Sequence, residues 1–118
     1  STIIDDSYNA NPLSMKSALK MLQELPSKGR KIAIIGDMRE IGKISTEAHI
    51  LMGKYAQEIA DIVIAVGKSA KKYEAKNYFT SPKKALDFLL KEVQENDIIL
   101  IKASRTVGLD KIADILKK

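Results

Sequence analysis

The residues able to do chemistry fall in three short stretches. The first is Asp5-Asp6-Ser7-Tyr8-Asn9-Ala10-Asn11-Pro12, two carboxylates, a phenol and two amides in eight positions. The second is Gly36-Asp37, opening a charged loop from Met38 to Ile44 that holds Arg39 and Gly42. The third is Lys102-Ala103-Ser104-Arg105, two cations around a hydroxyl. Acids, a hydroxyl and cations together suit a phosphorylated or carboxylated ligand, because charge-assisted hydrogen bonds are the strong ones. The plainer reading also stands: any solvent-facing strand end is polar, and Asp5 and Asp6 would then cap a strand and bind water.

All three stretches follow segments that read as strands. Thr2-Ile3-Ile4 leads into the first. Lys31-Ile32-Ala33-Ile34-Ile35 precedes the second and Ile98-Ile99-Leu100-Ile101 the third, both continuous apolar runs of the kind buried on two faces. Ile62-Val63-Ile64-Ala65-Val66 is another, and Tyr78-Phe79 is a weak, short one. Helical spacing separates them. Met15, Ala18, Leu19, Leu22 and Leu25 mark a first helix, started by the cap-plus-proline pair Asn11-Pro12 and ended by Pro26 and Gly29. Ala48, Met52 and Ala56, with Ile59 or Ala60, mark a second behind Ser45 as N-cap. A short helix is expected over Ser69 to Ala75. Ala85, Leu86, Leu89 and Val93 follow the cap Ser81-Pro82, and Leu109, Ile112, Ala113 and Leu116 close the chain. Alternating helices and buried strands predict an α/β fold, a Rossmann-like, doubly wound and mostly parallel sheet with helices on both faces. The first and second strands are expected near its centre and Tyr78-Phe79 at an edge. In such a sheet ligands bind at the carboxyl ends of strands, which is where the three polar stretches fall.

Composition narrows the classes. The 118 residues predict one domain, 1–118, and 45% hydrophobic content is enough for one core. No apolar run is long enough to cross a membrane, so no membrane insertion is expected. The first residues are acidic and polar, unlike the basic and then apolar stretch of a secretion signal. Cysteine is absent, which excludes disulfides and thiolate metal sites. A single histidine, His49, disfavours a histidine metal site or a Ser-His-Asp triad; inside a helix beside Ala48 it reads as a packed residue. The net charge of +5 comes from lysines spread over helix faces, and 5% aromatic content leaves no stacking platform for nucleic acid. The chain enters a strand almost at once and without methionine, so a domain cut from a longer protein is expected.

Two familiar chemistries fail on spacing. Gly67-Lys68-Ser69 looks like the end of a phosphate-binding loop, but the position needing the first glycine holds Ile62. A receiver domain would place acids after strand one and a lysine after the last strand, as Asp5, Asp6 and Lys102 do. Its phosphoacceptor aspartate is missing, since the third strand ends in Ala65-Val66-Gly67-Lys68 and Asp61 lies at the wrong end.

With these residues laid out, the chain resembles the C-terminal domain of the Mur ligases, in particular the branch adding D-alanyl-D-alanine to UDP-N-acetylmuramoyl-tripeptide. The resemblance rests on Asp5 through Pro12 with Ser14-Met15, Gly36-Asp37-Met38-Arg39-Glu40-Ile41-Gly42, His49 with Gly53, and Lys102-Ala103-Ser104-Arg105. One departure is Ala103, where the family usually has glycine. The resemblance implies a cytoplasmic, three-domain enzyme of peptidoglycan synthesis, using ATP and Mg²⁺ and passing through an acyl phosphate. The missing N-terminal and central domains would hold the UDP-sugar, the phosphate-binding loop and the metal. No catalytic or metal-binding residue is then expected in this domain alone, nor a cofactor bound by it alone. By position the resemblance puts Asp6 near the ATP ribose, with Tyr8, Asn9 and Asn11 shaping the same pocket and Asn11 also serving as cap. It puts Lys102, Ser104 and Arg105 toward the dipeptide substrate. Asp37 and Arg39 either line the cleft or brace their loop, and Tyr8 either stacks on a flat ligand or lids the core. The alternative is a stand-alone Rossmann-like or receiver-like module that binds an anion or a partner without catalysis.

Overall fold

Runs of β-branched residues make the strands and capped amphipathic segments make the helices. The computed structural model describes residues 2–6, 10–38, 44 and 46–103. Its strands are β1 (Thr2–Asp6), β2 (Lys31–Gly36), β3 (Ile62–Val66), β4 (Asn77–Phe79) and β5 (Ile98–Lys102). They form one parallel sheet in the order β1-β5-β2-β3-β4. Helix α1 (Pro12–Glu24) and α2 (Thr46–Ile59) cover one face, and α3 (Pro82–Glu92) covers the other. The doubly wound α/β fold read from the sequence is the one observed.

The alternation of side chains along each strand divides the core. Ala33, Ile35, Val63, Ala65, Ile98 and Leu100 face α1 and α2, meeting Met15, Leu19, Leu22 and Ala56. Ile32, Ile34, Ile64, Val66, Ile99 and Ile101 face α3, meeting Ala85 and Leu89. The interiors of β2, β3 and β5 are therefore apolar at successive positions, with lysines only at the ends of β2 (Lys31) and β5 (Lys102), because each of their faces has a helix to cover it.

Two expectations are corrected. β2 is central, but β1 lies at the edge and among the described residues pairs with β5 alone. Its Thr2 and Asp5 are exposed and its isoleucines only half-buried, which suits a strand hydrogen-bonded on one side. The short helix expected over Ser69 to Ala75 is a 3₁₀ turn, Ser69–Tyr73, stopped by Glu74 in the left-handed region at φ 57°. The weak strand takes the opposite edge, as expected. Ser45 and the closing helix at Leu109, Ile112, Ala113 and Leu116 lie outside the described residues.

The amino end of the sheet is locked by one buried carboxylate. Asp97 accepts from the Arg30 guanidinium at 3.0 Å and from the backbone amides of Arg30 (3.2 Å) and Gln94 (2.8 Å). Burial alone would raise this carboxyl group's pKa; the Arg30 and backbone hydrogen bonds outweigh burial and hold it below the ordinary aspartate value. This clamp ties the residues that lead into β2 and β5.

Candidate functional site

The register of β1 on β5 pairs Asp6 with Lys102. Asp6 has the same parity as Ile4, and Lys102 the same as Leu100, so both side chains rise on the α1 face. Asp5, one residue earlier, belongs to the opposite face. The two neighbouring carboxylates therefore serve different surfaces and do not form a pair. Lys102 is buried, with its side chain 3% exposed, whereas that of Asp6 is 45% exposed. The Lys102 Nζ lies 3.1 Å from Asp6 Oδ2.

The start of α1 forms the other wall. Asn11 caps the helix: its Oδ1 accepts from the Ser14 amide at 2.9 Å, and Ser14 Oγ accepts from the Asn11 amide at 3.0 Å. This reciprocal box, with Pro12 in the first turn, fixes where the helix leaves the strand. The cap occupies the amide oxygen of Asn11; its Nδ2 remains as a donor by chemistry. Between these walls lies an open groove of about 560 Å³, with Asp6 and Lys102 on the strand side and Ser14, Ser17 and Met21 along the helix. That size is in the range of small-molecule sites. A carboxylate presented from a fixed backbone can accept from a diol, and the apolar stripe beside it can cover a flat or aliphatic group.

Leu13, 78% exposed, and Met21, 40% exposed, border this groove and were not singled out from the sequence. The available signal was that both are large and apolar yet stand off the helical stripe of Met15, Ala18, Leu19 and Leu22.

Asp37 faces a different neighbourhood. It is 3% exposed, and its Oδ1 accepts from the Ala70 amide at 2.7 Å. A Cβ on Gly67 would lie 2.5 Å from that oxygen, and Gly67 sits at φ +121°, so glycine serves both the turn and the contact. Next to it the Tyr73 hydroxyl donates to the Gly36 carbonyl at 2.7 Å. Burial, with Asp37 nearby, pushes the Tyr73 phenol far above its ordinary pKa. His49 is buried with its ring 5.1 Å from that of Tyr73, and a Cβ on Gly53 would fall 2.1 Å from the Tyr73 carbonyl oxygen. The contacts of Asp37, His49 and Gly53 thus brace the ends of β2 and β3. Of the sequence-derived site residues, Asp6, Asn11 and Lys102 come together. Tyr8, Asn9, Arg39, Ser104 and Arg105 lie outside the described residues.

A second groove, of about 370 Å³, opens at the amino end near Asp61, Asn77 and Glu92. Asp61 Oδ2 there accepts from the Lys31 amide at 2.7 Å, and Asn77 Nδ2 donates to the Val63 carbonyl at 3.2 Å. These polar groups serve strand ends, which leaves the carboxyl-end groove as the candidate. Among the described residues no group of three or more His, Cys, Asp or Glu is placed to hold a metal ion.

Comparison with known families settles the lineage. The family model for the Mur ligase glutamate ligase domain matches residues 1–105. The chain belongs to the Mur ligase family. It is similar to the UDP-N-acetylmuramoyl-tripeptide--D-alanyl-D-alanine ligase of Bacillus subtilis, 33% identical over 94% of this chain. It is equally similar to that of Mycobacterium leprae, 33% identical over 98%. Among solved structures it resembles the MurF ligase of Thermotoga maritima in complex with ADP, with TM-score 0.81, 30% identity and 96% of this chain covered. MurF from Acinetobacter baumannii gives TM-score 0.81 and 30% identity over 98% of the chain. The chain spans 27% of the length of each of these relatives. Within this Mur ligase chain, no helix among the described residues is long and apolar enough to cross a membrane.

Proposed function

We propose that this chain is the C-terminal domain of a three-domain, ATP-dependent ligase that joins D-alanyl-D-alanine to UDP-N-acetylmuramoyl-tripeptide. The observation that carries this reading is similarity along nearly the whole chain to ligases of that name, at 33% identity, by a segment spanning 27% of their length. The enzyme would act in the cytoplasm on peptidoglycan precursors. ATP phosphorylates the tripeptide carboxylate, and the dipeptide amine then displaces phosphate to form the amide. In such reactions the protein contributes mainly positioning and charge stabilisation.

Within this scheme the chain's own residues bind and orient. Asp6 accepts from the ribose hydroxyls of ATP, and the Asn11 side-chain NH₂ donates beside it. The resemblance assigns Tyr8 and Asn9 to the same nucleotide. It assigns Ser104 and Arg105 to the dipeptide and Arg39 to the cleft. A Mg²⁺ ion would neutralise developing phosphate charge, but the donor set here does not fit one: Asp6 is engaged with an ammonium and Asp5 is on the other face. The metal and the phosphate-binding loop are assigned to the missing central domain, with the UDP-sugar in the N-terminal one. An ADP-bound relative of the same fold supports the nucleotide assignment.

The test is turnover. The full-length enzyme, given ATP, Mg²⁺, UDP-N-acetylmuramoyl-tripeptide and D-alanyl-D-alanine, is expected to release phosphate and form the pentapeptide. The 118-residue chain alone is expected to do neither. Activity from the isolated chain, or a full-length enzyme that rejects the dipeptide in favour of a single amino acid, would overturn the reading.

A further inference from the structure

We infer that Lys102 is a positioning residue for the nucleotide, acting through Asp6, and not a direct ligand of the dipeptide carboxylate. The inference rests on the proposed nucleotide role of Asp6 and goes beyond it. Three observations carry it. Lys102 and Asp6 are register partners on adjacent parallel strands, so backbone hydrogen bonding fixes the distance between them. The Lys102 ammonium lies 3.1 Å from Asp6 Oδ2. Both residues line the groove, but the lysine side chain is 3% exposed and the carboxylate 45% exposed, so the acid is the accessible member of the pair.

This arrangement has a chemical consequence. An exposed aspartate on an edge strand would sample several rotamers, and a ligand would have to freeze one of them. An ammonium fixed beside it holds Oδ2 and restricts the rotamers the carboxylate can take. Ordering lost before the ligand arrives is not lost again on binding. A carboxylate arriving from solvent would have to reach a buried ammonium already paired with Asp6, and breaking a buried pair leaves an uncompensated charge. Lys102 shares strand parity with Leu100 and is buried, so its aliphatic stem is covered on the α1 face.

The experiment is a double-mutant cycle in the full-length ligase. Asp6→Asn, Lys102→Met and the double variant are compared by KM for ATP and KM for D-alanyl-D-alanine, with thermal melts confirming the fold. We expect Asp6→Asn and Lys102→Met each to raise the ATP KM about tenfold, in line with loss of one charged hydrogen bond. The double variant should resemble either single one, and the dipeptide KM should stay within about twofold. A Lys102→Met variant that raises the dipeptide KM and leaves that for ATP unchanged overturns the inference while leaving the role of Asp6 intact. Independent, multiplying effects on ATP overturn it as well. If Asp6→Asn itself leaves the ATP KM unchanged, the nucleotide role of Asp6 falls first and the inference with it. Should Lys102→Met not fold, Lys102→Leu also removes the ammonium, keeps an apolar stem and carries the same comparison.

Discussion

Replacing Gly53 by alanine separates two physical arguments that predict opposite signs. Gly53 lies inside α2, where intrinsic propensity favours alanine by about 1 kcal/mol. If propensity ruled, Gly53→Ala would stabilise the domain. The added Cβ, however, would fall 2.1 Å from the Tyr73 carbonyl oxygen and 2.9 Å from its carbon, both backbone atoms. No rotamer relieves that overlap, so α2 and the 3₁₀ turn must separate by an amount on the order of 1 Å, enough to forfeit much of the dispersion contact between them. Such overpacking costs roughly 1–3 kcal/mol. The same displacement carries Tyr73 away from the Gly36 carbonyl it now bonds at 2.7 Å, and an orphaned buried acceptor costs about 1–3 kcal/mol more. With the propensity gain subtracted, we expect a net loss of roughly 1–5 kcal/mol, or on the order of 10 °C in melting temperature for a domain of this size. Urea denaturation followed by circular dichroism measures it, with Tyr73→Phe as a control that removes only the hydroxyl. A Gly53→Ala variant as stable as the parent, or more so, would refute the close-approach reasoning.

Three further outcomes follow from the structure. Asn11→Ala removes the α1 cap and should cost about 1 kcal/mol of stability, read from the same denaturation curves, with Ser14→Ala partly overlapping because the two share one box. The Asp97 carboxyl titrates below its unfolded value of about 3.9, so its contribution is complete above that pH and is lost as pH falls through the lowered folded value. Acid unfolding of Asp97→Asn should therefore show a shallower stability loss below about pH 4 than the parent. The Tyr73 phenol titrates above its unfolded value of about 10, so its contribution is complete below that pH and is lost as pH rises beyond it. Tyr73→Phe should then flatten the alkaline limb of the stability profile, measured by denaturation at several pH values.

Most of the architecture was legible because its signals are local. Caps at Asn11-Pro12 and Ser81-Pro82, continuous apolar strands and helical periodicity each lie within a few residues. The position of β1 was not, because strand order depends on which edges find partners, and nothing in Thr2-Ile3-Ile4 names β5. Asp6 and Lys102 were each marked as site residues, yet their pairing joins positions at opposite ends of the sequence and needs the β1–β5 register. Once that register is known, parity alone separates Asp5 from Asp6. The Arg30–Asp97 clamp escaped for the same reason, its partners being 67 residues apart. His49 and Gly53 were seen as a motif, but only packing shows what they do: they lie four residues apart on one helix face and both meet Tyr73.

The most direct measurement is hydrogen exchange of the full-length enzyme with and without an unhydrolysable ATP analogue and the tripeptide substrate. We expect added protection at the carboxyl ends of β1 and β5 and in the first turn of α1, around Asp6, Lys102 and Ser14, with little change around Asp61 and Asn77. Protection confined to the amino-end groove, or absent from this chain altogether, would contradict a nucleotide-facing role for the Asp6 rim.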